Sequence, residues 1–425
     1  MRVDFSYSRI FKFLFLTYLV ISILYIFLFF YGSPHKTHDK LTPVTPSKVP
    51  QHTQPSVEDN KNEILWANNQ GSTVPLSESY VYSKLFSETM QPTNLKPYYY
   101  RMEPAPSPDD ITVATLITAD RFQVFEKLVN NYKGPISVAL HISDDHNQAN
   151  ILRRLDNMYQ SNPLMKKYVD IHLIIDKFER QFNYWRNVAR FFSRTDYFLL
   201  LDIDFYLCTD FRQSLQNHPE LMNRLKDGNV AIVLPAFEYD VLNEGRDAKV
   251  FPRVKSDLVK LVDDKKVSMF HKGWTRGHGS SNYTHWYQAD TPYTVTEYNF
   301  SYEPYVIVKK DGIPWCNERF IGYGGNKAAC LFEIYLSGVD YWVLPQDFII
   351  HQNHDYLEDT RRIERNFNKK VYQNFREEAC FRYFRNFLSR NEWGTPKADN
   401  LKKECSKSVP NFLKDTTAYQ SETLQ

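Results

Sequence analysis

Short apolar runs alternate with amphipathic stretches between residues 109 and 237. The apolar runs have the length of strands, whereas the stretches between them repeat apolar residues every three or four positions, as helices do. Strands separated by helices of this length imply right-handed crossovers, and therefore a mainly parallel α/β sheet with helices on both faces. The predicted strands are 111–118, 136–143, 169–175, 197–208 and 230–237, and the predicted helices are 121–132, 148–159 and 182–193.

The region from 238 to 400 has a mixed pattern without this regular alternation. Residues 401–425 are mostly polar, and we expect a loosely ordered C-terminal tail there. The elements predicted between 238 and 400 are strands at 302–308 and 341–351, a helix at 326–338 and a long charged helix at 357–388.

The first hundred residues predict a membrane anchor and a spacer. Residues 13–31 are uncharged and apolar over about the length that a helix needs to cross a bilayer, and the basic residues of 1–12 place that tail in the cytosol. We therefore expect a signal anchor with the rest of the chain luminal; the alternative is a cleaved signal peptide. Prolines recur through 32–108, which predicts an extended stem, and the aromatic-rich stretch 80–101 is a candidate for packing on the folded domain.

The charge and the cysteines narrow the class of protein. The formal net charge is +2, so the chain lacks the basic surface of a nucleic-acid binder. The five cysteines follow no zinc-site spacing, and in an oxidising lumen some would pair while one is left over. Asn282 and Asn299 begin Asn-x-Ser/Thr sequons, which makes them predicted N-glycosylation sites in that compartment.

Two aspartates, Asp202 and Asp204, follow the apolar run of the fourth predicted strand. Alternate residues of an extended strand share a face, and ligands of parallel sheets lie beyond the carboxyl ends of the strands. Mn²⁺ and Mg²⁺ bind carboxylate oxygens and often join them to substrate phosphates, so the pair predicts a cation site for a sugar nucleotide. Helix capping and ordinary salt bridges are the alternative roles for the pair.

A third metal ligand is expected because two carboxylates rarely complete a site. His351 follows an apolar, strand-like run, and a neutral imidazole can bind Mn²⁺. His354, three positions later, is the competing candidate.

Three longer blocks resemble glycosyltransferase family 49. They are "FNYWRNVARFFSRTDYFLLLDIDF", "SNYTHW" followed by "YEPYVIV", and "NERFIGYGGNKAACLFEIYLSGVDYWVLPQDFIIH". The resemblance implies a GT-A type, Rossmann-like fold over 109–400, with a nucleotide-sugar half at 109–237 and an acceptor half at 238–400. It also implies a divalent metal, Mn²⁺ or Mg²⁺, a UDP-sugar donor and inversion at the anomeric carbon.

The resemblance assigns metal and donor residues. Asp202 and Asp204 match the metal-binding pair, and His351 matches the histidine after the last strand, which favours it over His354. The residues that match the start of the helix beside the donor are Asn183, Arg186 and Asn187.

The catalytic base is less well defined by the resemblance. Inversion needs a carboxylate to take the proton of the acceptor hydroxyl. Members that this chain resembles often read Asp-x-Arg-Phe where it has Asn317, and an amide cannot act as a base. Glu318 is the first candidate and Glu303 the second. Trp286 and Tyr323 are candidates for stacking on the acceptor sugar.

We therefore expect a type II membrane glycosyltransferase of the Golgi. It would move glucuronic acid from a UDP donor to a glycan or glycoprotein acceptor, with Mn²⁺ and with inversion. One alternative is a UDP-N-acetylglucosamine-dependent enzyme. The other is a non-catalytic glycan-binding protein of the same fold, in which Asn317 marks a lost base.

Overall fold

The computed structural model describes residues 15, 17–18, 63–67, 73–86, 94–355 and 358–423. Residues 61–425 form one compact unit. Within the described ranges, no helix is both long and apolar enough to cross a membrane. The predicted anchor lies outside the described residues at all but three positions, and the predicted cytosolic tail lies outside them entirely.

The described residues form fifteen strands. These are β1 (Glu63–Ala67), β2 (Thr73–Ser77), β3 (Leu95–Tyr100), β4 (Ile111–Thr118), β5 (Ile136–Ser143), β6 (Val169–Asp176), β7 (Tyr197–Leu200), β8 (Phe205–Leu207), β9 (Val230–Leu234), β10 (Ala236–Tyr239), β11 (Val267–Met269), β12 (Tyr293–Thr294), β13 (Tyr305–Lys309), β14 (Asp340–Val343) and β15 (Ile349–His351).

Thirteen α-helices accompany the strands in the same part of the chain. These are α1 (Glu78–Leu85), α2 (Phe122–Tyr132), α3 (Gln148–Ser161), α4 (Pro163–Tyr168), α5 (Phe182–Phe191), α6 (Phe211–Gln216), α7 (Pro219–Lys226), α8 (Lys255–Asp263), α9 (Tyr283–Gln288), α10 (Asn326–Leu336), α11 (Glu358–Ser389), α12 (Asp399–Ser408) and α13 (Phe412–Thr423).

A nine-stranded sheet in the order β12-β14-β9-β13-β7-β4-β5-β6-β3 forms the centre of the unit. Strands β4 to β7 are parallel, as predicted, but only four of the eight pairings in the sheet are parallel. The prediction of a mainly parallel sheet was therefore wrong. The antiparallel β13 enters between β7 and β9, and no repeating strand-helix pattern in the sequence signals such an insertion.

Helices cover both faces of this sheet, as predicted. Val113 and Ile117 of β4 belong to one buried apolar cluster, which also receives side chains from α2, α3, α6 and α7. Ala114, between them on the same strand, points to the opposite cluster, which receives side chains from α5, α10 and α11. This alternation is the side-chain period of a strand buried on both faces.

A smaller sheet in the order β11-β10-β15-β8 lies at the end of the strand that carries the aspartates. Its β8 begins directly after Asp204, and its β15 ends at His351. The antiparallel register places Phe205 opposite His351. This pairing brings two residues that are 146 positions apart into one corner of the fold.

The folded domain begins earlier than the predicted stem allows. Strand β3 pairs with β6 at the edge of the large sheet, and Tyr82 and Phe86 are buried in the core. The packing on the domain that was considered for 80–101 is confirmed for β3, Tyr82 and Phe86. The extended stem predicted for 32–108 does not include these residues, because their rings are stabilised by burial.

The predicted loose tail at 401–425 is also corrected. Helices α12 and α13 occupy it up to residue 423, with Leu401 and Phe412 buried. A disulfide joins Cys405 to Cys380 of α11 and so fixes α12 on the domain. The composition of this segment is polar, but Leu401, Cys405 and Phe412 still face the core.

Four of the five cysteines pair in two disulfides. Cys316 is bonded to Cys330 and Cys380 to Cys405, while Cys208 is buried and free. The expectation of one unpaired cysteine is confirmed, and the pairing itself was not readable from the sequence.

A buried histidine fastens the edge strand β3 to the sheet. The Tyr98 amide donates to Nδ1 of His172 at 3.0 Å, and Nε2 lies 3.1 Å from the Ser137 hydroxyl, which itself donates to a backbone carbonyl. If Nδ1 of His172 carried a proton, its N–H would face the Tyr98 N–H, and neither group could accept a hydrogen bond from the other. Burial, helped by the charge of Arg194, lowers the pKa of His172 from its ordinary 6.5 to about 3.

We predict that His172 makes the domain sensitive to acid. The unfolded chain takes up a proton on this side chain below about pH 6.5 while the folded chain does not, so stability falls as the pH drops. This residue alone should remove about 2 kcal/mol of unfolding free energy between pH 7 and pH 5. Urea unfolding at pH 7 and pH 5 measures how much unfolding free energy wild type and His172→Asn each lose. His146→Asn, at an exposed position, is the control; equal losses in wild type and His172→Asn would contradict the prediction.

Candidate functional site

Asp202 and Asp204 lie in the turn between β7 and β8, at the carboxyl end of the parallel strands. Asp202 is surrounded by hydrogen-bond donors. Its Oδ2 lies 2.9 Å from Lys327 Nζ and accepts a 3.0 Å hydrogen bond from the Tyr305 hydroxyl, and its Oδ1 lies 3.2 Å from Arg186 Nη2. Both carboxylate oxygens are therefore engaged by other side chains of this domain.

The charges around Asp202 hold it ionised. Burial by itself would raise the pKa of Asp202, but Lys327 and Arg186 outweigh burial and keep the pKa well below the ordinary value. The two cations are themselves buried, whereas the Asp202 side chain keeps about a third of its surface exposed. Two buried positive charges thus share one carboxylate, which leaves the corner positively charged beside the metal candidates.

The three residues predicted at the donor line one side of α5. Asn183 and Asn187 are buried, and the Asn183 amide donates to the backbone carbonyls of Asn317 and Asn326 at 2.8 and 3.0 Å. Asn183 has no exposed surface and so cannot touch a donor in this structure. Its observed role is to hold the loops around Asp202, and only Arg186 among the three reaches the carboxylate.

A glycine-rich loop precedes Lys327 and fixes its position. Gly324 has φ +96°, and a Cβ there would lie 2.9 Å from the Cα of Arg365 in α11. Glu364 of α11 accepts the Tyr323 amide at 2.8 Å and pairs with Arg180 at 2.6 Å. Gly324 thus allows a close backbone approach to α11, and this approach sets the start of α10.

The second aspartate has different neighbours. Asp204, His351 and His354 each offer a ligand atom, and these atoms all lie within 4.8 Å of one another. His354 Nε2 is 3.3 Å from Asp204 Oδ2. The structure thus joins both competing histidines to Asp204 and gives Asp202 a separate position among cations.

This donor set fits a divalent transition metal. Burial lowers the pKa of His351 to about 4 against the opposing effect of Asp204, so its imidazole is neutral and able to bind metal at neutral pH. Two imidazoles and one carboxylate suit Mn²⁺ better than Mg²⁺, which prefers oxygen ligands. Bound there, the ion would neutralise negative charge on a substrate phosphate.

The candidate bases lie on two sides of the corner. The Asn317 side chain accepts from the Arg319 amide at 3.1 Å in a tight turn, and Glu318 Oε1 accepts from Asn187 Nδ2 at 2.7 Å. Glu303, two residues before Tyr305, is half-buried. Burial raises the pKa of Glu303, and Lys327 partly opposes that rise.

The predicted acceptor residues fare differently. Trp286 is completely buried, and its indole N–H donates to the Leu344 carbonyl at 2.8 Å, so the prediction that it stacks on a sugar was wrong. Tyr323 is half-buried with the Arg361 guanidinium 4.4 Å from its ring centre, and its acceptor role stays a prediction. An aromatic residue in a chain this rich in rings gives no sequence signal that separates core from surface.

The two sequon asparagines lie close to each other along one polar surface groove. Asn282 is exposed, and Asn299 is half-buried. Their glycosylation stays a prediction.

A family described as "Glycosyl-transferase for dystroglycan" matches residues 110–181 and 177–384 of this chain. The chain belongs to this family. The resemblance to glycosyltransferase family 49 is thereby confirmed.

Curated relatives match about two thirds of this chain. "Xylosyl- and glucuronyltransferase LARGE2" of Mus musculus is 32% identical over 292 residues, which is 66% of this chain and 40% of the relative. "Xylosyl- and glucuronyltransferase LARGE1" of Homo sapiens is 32% identical over 308 residues, 69% of this chain and 38% of the relative. The chain thus spans about two fifths of the length of these relatives.

Two solved structures align more distantly. GalNAc-T7 crystallised with UDP, GalNAc and Mn²⁺ aligns with a TM-score of 0.38 and 11% identity over 74% of this chain and 55% of that one. S. aureus TarS aligns with a TM-score of 0.32 and 12% identity over 64% and 39%.

Sequence reasoning missed several residues that this family member places at the corner. Lys327 gave one signal, since it is the single lysine of the mostly apolar helix α10 and lies at its start. Arg121 lies three positions after the end of β4, in the turn that follows the strand. Tyr305 and His278, whose rings lie parallel at 6.1 Å, gave none, because their importance depends on the antiparallel placement of β13.

We predict that the two aspartates differ in their effect on stability. Asp202→Asn leaves Arg186 and Lys327 buried without their counter-charge, which should cost about 2 kcal/mol after allowance for the partial exposure of Asp202. Asp204→Asn should cost less than about 1 kcal/mol, because its charged neighbours are more exposed. Urea unfolding in EDTA measures both variants without metal. A loss from Asp204→Asn as large as that from Asp202→Asn would refute the assignment.

Proposed function

We propose that this chain is a Mn²⁺-dependent glycosyltransferase of GT-A type that moves glucuronic acid from UDP-glucuronic acid to a glycan acceptor, with inversion. One observation carries the proposal. Asp204, which forms a candidate metal site with His351 and His354, lies two residues along the chain from Asp202, which pairs with the buried cations Lys327 and Arg186. A nucleoside diphosphate is the substrate group whose charge suits such a corner.

The chain's own residues would divide the work as follows. Asp204, His351 and His354 would hold the metal ion. Lys327 and Arg186 would supply positive charge as the leaving UDP gains negative charge. Tyr305 and Asp202 hold Lys327 in place through a 3.9 Å contact with the tyrosine ring and a 2.9 Å ion pair.

The printed names of the relatives support the choice of sugar. Both LARGE relatives are named as xylosyl- and glucuronyltransferases, and the region of this chain that matches the family, 110–384, includes the whole corner. UDP-N-acetylglucosamine remains the alternative donor. The family membership and the predicted anchor at 13–31 also lead us to propose a single-pass type II position in the Golgi membrane, with the catalytic domain luminal.

For the base we propose Glu303, with Glu318 as the alternative. Burial raises the pKa of Glu303, which suits a group that must accept a proton near neutral pH. It also lies close enough to Lys327 and Arg186 to feel their charges, so it belongs to the same corner as Asp202. Glu318 is held by Asn187 beside the Cys316–Cys330 disulfide.

We predict that the purified full chain releases UDP from UDP-glucuronic acid when Mn²⁺ and a glycan acceptor are present. Asp204→Ala should lower the rate at least about 100-fold, because the metal site loses its carboxylate. A screen of UDP-sugars with and without EDTA measures donor choice and metal dependence together. Asp156→Ala, at an exposed aspartate of α3, is the matched control and should leave the rate unchanged.

Several outcomes of this screen would change the proposal. Faster release from UDP-N-acetylglucosamine would transfer it to the alternative donor. UDP binding without release from any donor would favour the non-catalytic glycan-binding protein. If UDP release keeps its rate in EDTA and in Asp204→Ala, the proposed metal dependence is wrong.

We predict a separate signature for the base. Glu303→Gln should lower kcat by about 10²- to 10⁴-fold while UDP binding persists. In wild type, kcat should rise with pH through the raised pKa of Glu303, since only the ionised form accepts a proton. Rate-against-pH profiles of wild type, Glu303→Gln and Glu318→Gln measure this. If Glu318→Gln is the inactive variant and Glu303→Gln keeps the wild-type profile, Glu318 is the base.

A further inference from the structure

A permanently charged residue lies against the candidate metal ligands. Arg121 Nε is 3.5 Å from Asp204 Oδ1, and Arg121 Nη2 is 3.4 Å from His354 Nδ1. Asp204 therefore has Arg121 at one oxygen and His354 at the other. Neither the sequence pattern nor the proposed division of work gives Arg121 a role.

The fold brings Arg121 to this position by a short route. It ends a 3₁₀ turn, Ala119–Arg121, which follows the central strand β4 at the carboxyl edge of the sheet. Strand β7, which leads to Asp204, is the parallel neighbour of β4. The Arg121 side chain is about a quarter exposed, so it faces the open side of the corner and can be reached by a ligand.

The positive charge of Arg121 opposes the binding of a metal ion when no anionic ligand binds with it. A guanidinium keeps its proton at any relevant pH, and like charges at this separation repel. Its geometry is nevertheless well suited to an anion, because its planar donors match phosphate oxygens in pairs. A ligand that carries several negative charges would convert Arg121 from an unfavourable neighbour of the metal into a favourable one.

We propose that Arg121 couples the two ligands of the site, so that the metal binds weakly alone and strongly together with a nucleoside diphosphate. In the absence of nucleotide, Arg121 pairs with Asp204 and competes with the metal for that carboxylate. When a diphosphate is present, the guanidinium contacts its oxygens beside the metal. This inference rests on the proposed function, since it requires that the corner bind both ligands.

A purely structural role predicts a different result. If Arg121 only orients Asp204, its loss should weaken the binding of metal and of nucleotide together. If it couples them, its loss should change the two affinities in opposite directions, because repulsion of the metal and attraction of the diphosphate disappear at once.

The test uses the purified full chain with Mn²⁺ and UDP as probes, and it measures binding rather than turnover. Mn²⁺ affinity without nucleotide is measured by electron paramagnetic resonance, and UDP affinity at saturating Mn²⁺ by calorimetry. Arg121→Met should bind free Mn²⁺ more tightly than wild type, by a few-fold, and should bind UDP on the order of tenfold more weakly. Arg121→Lys keeps the positive charge, and its affinities for Mn²⁺ and for UDP should each lie between those of wild type and Arg121→Met.

Arg154→Met is the matched control. The Arg154 guanidinium donates to the Ala119 carbonyl of the same turn at 3.2 Å and lies 5.3 Å from the Phe122 ring. Arg154 is not one of the candidate metal ligands. Its replacement should leave both affinities unchanged, which separates a general disturbance of the turn from the loss of Arg121.

The outcomes distinguish this inference from the proposed function. If wild type binds neither Mn²⁺ nor UDP, both fail. If wild type binds both and Arg121→Met weakens both, or leaves UDP affinity unchanged, the coupling role is wrong and the proposed function stands. Opposite shifts in Arg121→Met, with Arg154→Met unchanged, support the coupling.

Discussion

The compensation of one carboxylate, that of Asp202, determines how the rest of the corner is built. A carboxylate placed in this partly buried turn would be costly alone, and two cations from separate helices offset that cost. Arg186 comes from α5, Lys327 from the start of α10, and the Tyr305 hydroxyl from the antiparallel strand β13. The elements that are distant in sequence are therefore joined at one charge, and their side chains are buried because they are paired there.

The segments that lead to Lys327 are held by side-chain hydrogen bonds and a disulfide as well as by the charge of Asp202. Asn187 binds the amide and the carbonyl of Cys316 and also holds the Glu318 carboxylate, while the disulfide joins Cys316 to Cys330 of α10. The glycine loop before α10 is fixed by Glu364 of α11. The start of α10 is thus held from two sides, so Lys327 is positioned before any ligand arrives.

The separation of the two aspartates also explains how one short motif can serve two purposes. Asp202 is occupied by cations of the chain, whereas Asp204 is turned toward the histidines that follow β15. The metal candidates and the buried cations consequently stand side by side without sharing a ligand. Such an arrangement allows negative charge on a substrate to be met from two directions, one supplied by an ion and the other by fixed side chains.

The sequence by itself determined the layered α/β architecture, because hydrophobic periodicity is a local property of the chain. The order of elements along the chain placed the aspartates at the carboxyl edge of the strands, and three sequence blocks indicated the family. It identified His351 and named His354 as its competitor. Only the tertiary structure decided that both histidines meet Asp204, that Asp202 pairs with Lys327 and Arg186, and that Trp286 is core. Those outcomes depend on the antiparallel entry of β13 and on the pairing of β8 with β15, which bring together residues more than a hundred positions apart. Long-range pairing of this kind leaves no periodic trace in the chain, and the burial of a given ring or charge follows from it.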